Sequence, residues 1–184
     1  MKTGKRVLVV YYSMTGNTER VARDIAARLG ADLEKIDDKK NRRGFVGHIG
    51  AALDSLRERP AQIADLHRLP DEYALTIVGT PVWAGRMTPA VRAYLRTIHG
   101  RVNEVAFFTT SGSTKAEQIV PHMEALAGRK AVAFSGLTGR QLNAADLYEQ
   151  QIASFVRKVQ GDRAGGSSLN RNCALPSPGH LPAH

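Results

Sequence analysis

Two hydrophobic rhythms alternate along the chain. Arg6 to Tyr12 ends in an unbroken apolar, β-branched run, the pattern of a strand covered on both faces. Beyond the polar stretch Ser13–Thr18, Val21, Ala22, Ile25, Ala26 and Leu29 recur at helical spacing, and Gly30 stops that helix. Strand patterning returns at Ala31–Ile36, Leu75–Val78, Val105–Phe108 and Lys130–Phe134. Helical spacing fills the gaps. Thr88-Pro89 opens a helix with Val91, Tyr94, Leu95 and Ile98 inward. Another runs from Thr114 to Leu126, with Ile119, Met123 and Leu126 inward, and Pro121 predicts a kink or a later start. The last spans Ala144 to Gln160 on a stripe of Tyr148, Ile152, Phe155, Val156 and Val159.

This alternation predicts an α/β fold, a doubly wound five-stranded parallel sheet in the order 2-1-3-4-5 with helices on both faces. In such a sheet the ligand site lies beyond the strand carboxyl ends, where the order reverses, so the loops after strands one, three and four should meet. Two segments exceed the minimal pattern. Asp37–Leu69 is long for one crossover and predicts a helix over Gly47–Arg59, with Ile49, Leu53 and Leu56 at helical spacing and Pro60 ending it. The stretch from Gly161 to His184 is rich in Gly, Ser and Pro without periodicity, which predicts a folded domain over 1–160 and a disordered tail over 161–184.

Composition changes this picture little, with 42% hydrophobic and 23% charged residues in a chain of 184. A single cysteine, Cys173, allows no internal disulfide, which fits a reducing cytoplasm. The apolar run after Arg6 is too short for a signal peptide, and no stretch reaches the roughly 18 apolar residues that span a membrane, so a cytoplasmic location is expected. The net charge of +9 is the unusual quantity. It admits nucleic acid, anionic membranes or acidic proteins as partners, or merely basic solvated faces. Only Lys39–Arg43 forms a run, and no aromatic stacking surface accompanies it, which argues against specific nucleic-acid binding. His48, His67, His99 and His122 are scattered, so no metal site is expected, and no catalytic dyad or triad is evident.

Candidate chemistry sits in three stretches. Ser13-Met14-Thr15-Gly16-Asn17-Thr18 sets hydroxyls and backbone N–H groups at the positive end of the first helix, a cage for a phosphate or else an ordinary helix cap. No Walker lysine is present, so a phosphomonoester suits it better than a nucleoside triphosphate. Thr80-Pro81-Val82-Trp83-Ala84-Gly85 holds the only tryptophan, a stacking platform for a planar ring or a side chain packed over the sheet edge. Thr109-Thr110-Ser111-Gly112 offers small donors and acceptors for a ligand's polar edge, or forms a plain turn.

The first of these, with Val9–Tyr12 before it, resembles the FMN phosphate loop of the flavodoxin family, and the other two resemble that family's ring-binding loops. The likeness covers Lys5 to Gln160, and the short Ser135–Asn143 connection matches the short-chain type. It implies that Ser13, Thr15, Gly16, Asn17 and Thr18, with Met14 among them, hold the FMN phosphate. It implies that Pro81, Val82, Trp83 and Gly85, with Thr80 and Ala84, flank the isoalloxazine, and that Thr109, Thr110, Ser111 and Gly112 meet its other edge. Flavodoxins are acidic and dock on basic reductases, whereas this chain is basic, and Arg86 lies beside the expected ring. The implied role is an electron carrier, monomer or homodimer, serving a redox partner protein that this charge would match if acidic. The alternative is an NAD(P)H-dependent FMN oxidoreductase reducing quinones or similar small acceptors.

Overall fold

The structure, a computed structural model, describes residues 6–37 and 67–165. The expected Gly47–Arg59 helix, the Lys39–Arg43 run, His48, Cys173 and the tail beyond 165 lie outside the described residues. Within them the chain runs β1 (Val7–Tyr11), α1 (Asn17–Leu29), β2 (Asp32–Lys35), a 3-10 turn (Pro70–Glu72), β3 (Leu75–Trp83) and β4 (Arg86–Met87). It continues with α2 (Pro89–Thr97), β5 (Glu104–Ser111), α3 (Ala116–Ala127), β6 (Ala131–Thr138), α4 (Gly139–Asn143) and α5 (Ala145–Gly165). The parallel strands lie in the order β2-β1-β3-β5-β6, which is the expected 2-1-3-4-5 order once the short antiparallel β4 is set aside.

Each central strand is buried on both faces, and alternate residues feed two cores. Val7, Val9 and Tyr11 join Ile77, Phe108, Val21 and Ile25 of α1, and Ile152, Phe155 and Val159 of α5. Leu8, Val10 and Tyr12 join Val78, Phe107, Val91, Tyr94 and Leu95 of α2, and Ile119, Val120 and Met123 of α3.

Five boundaries differ from the sequence pattern, three of them for one reason. β3, β5 and β6 run past the apolar runs that announce them, because a parallel strand continues while its neighbour pairs with it. Thr80 and Pro81 stand opposite Thr109 and Thr110. Ser135 to Thr138 stand opposite Phe108 to Ser111. The residues read as loops in Thr80–Trp83 and Thr109–Ser111 are therefore strand residues. The fourth difference is α3, which starts at Ala116 and carries Pro121 in its interior. α5 continues to Gly165, beyond Gln160.

Packing is tight where β3 crosses Phe108. A Cβ placed on Gly79 would lie 2.0 Å from the ring's Cζ, so only glycine lets this strand pass a fully buried phenylalanine.

Candidate functional site at the strand carboxyl ends

Strand register assembles the site. Tyr11 stands opposite Gly79, and the Tyr12 N–H donates to the Gly79 carbonyl at 3.2 Å, so the chain leaves β1 beside β3. From there Ser13 to Gly16 turn over the start of α1. Gly16 occupies the N-cap at φ 89°, with no side-chain bond to the helix's first N–H groups. The Ser13 hydroxyl, half-buried, accepts the Gly16 N–H at 3.1 Å, while Met14, Thr15, Gly16 and Asn17 are exposed. The loop therefore presents uncapped backbone donors at the positive end of a helix of 13 residues.

Thr18 is different from the rest of its loop. It is buried, and its hydroxyl lies 2.7 Å from that of Thr110, also buried. This pair joins the start of α1 to the carboxyl end of β5. Three further threonine and serine side chains also face the protein. Thr80 donates to the Pro81 carbonyl at 2.9 Å and accepts the Thr88 N–H at 3.3 Å, which pins the base of the β3–β4 hairpin. Thr109 is fully buried, with its Oγ1 3.3 Å from where a Cβ would stand on Gly136. Ser111 donates to the Thr114 carbonyl at 2.7 Å and so shapes its own turn. The Gly112 carbonyl accepts the Gly139 N–H at 3.2 Å, tying that turn to α4.

The stretch read as a ring-binding loop is a tight hairpin. Trp83 pairs with Arg86 across a two-residue turn in which Ala84 (φ 47°) and Gly85 (φ 71°) are both left-handed, the geometry that twists with its strands. Pro81, Val82 and Trp83 are half-buried, and Ala84 and Gly85 are exposed. Trp83 meets the ring of Tyr12 in a T-shaped contact, centroids 6.1 Å apart and planes at 78°. Tyr12 was not a candidate from sequence, although it immediately precedes Ser13. Its ring braces Trp83 while its backbone launches the first loop, so one residue connects both halves of the site.

The residues present fit a flat ligand ending in a phosphate. Nothing lies within 4 Å of where a Cβ would stand on Gly16, Gly85 or Gly112, so each of the three stretches borders open space. Neutral donors gather at one end and a braced indole stands at the other. Among the described residues no group of His, Cys, Asp and Glu could hold a metal. Among the same residues no helix is long and apolar enough to cross a membrane.

Solved structures share this architecture. A flavoprotein from Lactobacillus acidophilus, crystallised in complex with FMN, superposes with a TM-score of 0.62 at 21% identity, over 76% of this chain and 97% of its own. A flavoprotein from Bacteroides eggerthii gives 0.63 at 19% identity, over 85% and 99%. One from Bacteroides uniformis gives 0.61 at 20%, over 82% and 99%. At these identities the likeness is one of fold. The flavodoxin family model matches residues 6–159, nearly the whole doubly wound unit, and on that match this chain belongs to the flavodoxin family.

Proposed function

We propose that the protein binds FMN at the strand carboxyl ends and passes electrons through it to a partner protein. The observation that carries this reading is the bridge made by Tyr12, which holds Trp83 in a T-shaped contact at 6.1 Å and is followed directly by the Ser13–Gly16 loop. This supports a reading in which Trp83 offers a stacking face near the N-terminus of α1. Family membership and the fold shared with a flavoprotein crystallised with FMN support it. Bound FMN would supply reversible electron acceptance at its isoalloxazine ring. The backbone N–H group of Asn17, with the Ser13 and Thr15 hydroxyls, would hold the phosphate. Trp83 would cover the ring, and the backbones of Gly85 and Gly112 would approach its polar edge. Thr18, Thr80, Thr109 and Thr110 would act from beneath, by fixing the loops.

A second reading, an NAD(P)H-dependent oxidoreductase acting on quinones or similar small acceptors, is favoured by Arg86, exposed at the hairpin beside Trp83. A cation there would favour negative charge on a reduced ring. One experiment separates the two. The protein is loaded with FMN and titrated without oxygen, first with NADH and NADPH, then with dithionite, while the visible spectrum is recorded. Bleaching only by dithionite supports the carrier, and bleaching by a pyridine nucleotide supports the oxidoreductase. Retention of no FMN overturns both. Trp83→Ala should weaken FMN binding by more than about 1 kcal/mol; unchanged affinity would remove Trp83 from the site.

A further inference from the structure

Beside the β3–β4 hairpin, β4, α2 and α3 border an open cavity of about 440 Å³. Its wall carries Arg86 from β4, Arg92 and Arg96 one turn apart on α2, and His122 from α3. Apolar lining comes from Met87 and Ile119, both buried, and from the partly buried Leu126. Among the described residues no acidic side chain lines it. Among the described residues none of the three arginines enters an ion pair, and neither do Arg20, Arg129, Arg140 and Arg157.

Three guanidinium groups on one concave wall repel one another, and an anion between them reverses the sign of that interaction. The cations of choice matter too. All three are arginine, whose planar fork grips phosphate oxygens in pairs, where lysine would offer a point charge. The volume falls within the range of about 300–1,000 Å³ typical of small-molecule sites, and its concavity suits a compact ligand better than a broad protein face. The apolar lining asks for more than a bare anion.

We propose that this cavity binds an organic phosphate of nucleotide size, its phosphate groups on Arg86, Arg92 and Arg96 and its apolar ring against Met87, Ile119 and Leu126. The site is distinct from the strand-end site, although both draw on the β3–β4 hairpin, and it does not depend on flavin binding.

Methionine methyl groups provide the test, because each region has its own reporter. Met87 lines the cavity, Met14 lies in the candidate phosphate loop, and Met123 is buried in the core. The full chain, labelled at methionine methyls and studied with and without added FMN, is titrated with ADP, inorganic pyrophosphate and adenosine. ADP should shift Met87 saturably while Met14 stays put, and should bind more tightly than either pyrophosphate or adenosine. The double variant Arg92→Glu, Arg96→Glu should lose at least about tenfold in ADP affinity, with an unmoved Met123 signal showing an intact core. Movement of Met14 without Met87 would assign ADP to the other site and overturn the proposal. So would pyrophosphate or adenosine binding as tightly as ADP, or a double variant that binds undiminished. Loss of FMN binding with Met87 still responding would strike only the flavin reading.

Discussion

On the sheet face covered by α1 and α5, polar side chains close on one another. Tyr148 donates to Asp24, the Arg20 guanidinium lies 4.0 Å above the Tyr148 ring, and Arg28 pairs with Glu149. On the face covered by α2 and α3, Arg86, Arg92 and Arg96 meet no carboxylate among the described residues. An apolar core lies beneath each face. The outer charges around the hollow differ from those between α1 and α5, and the difference is instructive. Where cations and anions alternate between two helices they fix how those helices sit. Where cations alone gather around a hollow they contribute nothing to the fold and remain open to a ligand.

Substitutions can break or sharpen that contrast. The largest effect belongs to the first face. Gly79→Ala drives a methyl group into the Phe108 ring beneath α1 and α5, and should cost about 3 kcal/mol in urea unfolding. A loss near zero would mean that Phe108 moves freely, and that this face is less rigid than its packing implies.

Tyr148→Phe should cost about 1.5 kcal/mol at neutral pH, because Asp24 loses its hydroxyl donor. This contact also sets an alkaline signature. Burial, and then the bond to Asp24, push the Tyr148 phenol up to about 12. A folded-state value above the unfolded one near 10 means that the folded chain holds the proton longer. Stability from this group is therefore complete below pH 10 and lost as pH rises through about 12. Thermal unfolding followed across that window should fall more steeply for the native chain than for Tyr148→Phe. Burial also raises the Tyr11 and Tyr94 phenols, so the variant should keep part of the slope.

A smaller and opposite change is expected at the hairpin that borders the second face. Ala84 holds a left-handed turn position at φ 47°, which asparagine tolerates better, so Ala84→Asn should stabilise the protein by about 0.5 kcal/mol. The smallest effect should come from the unpaired cations. Arg96→Gln should shift stability by less than about 0.5 kcal/mol, and a larger loss would show that this arginine supports the fold after all.

The strands and their order were legible because apolar runs and helical stripes alternate cleanly from Val7 to Val159. The reach of the strands was not. Thr80, Thr109 and Thr110 read as loop because hydroxyl residues and prolines resemble turns, yet pairing with the neighbouring strand keeps them in the sheet. The same extension buries their hydroxyls. Loop convergence followed from topology, but which hydroxyls face a ligand depends on strand parity, which a short Ser/Thr run does not reveal. The β3–β4 hairpin lacked an Asn-Gly signal, since Ala84 takes the position where asparagine would announce it. Tyr12 passed unnoticed because its importance lies in a contact across 71 positions, with Trp83.

That contact has an optical consequence. Trp83 is the sole indole of the chain, so its emission reports from one corner of the molecule and nowhere else. Light absorbed by Tyr12, 6.1 Å away, can pass to it without leaving that corner. A planar, visible-absorbing molecule laid on the indole would darken that emission at once. The protein needs no added dye to tell when its strand-end site is filled.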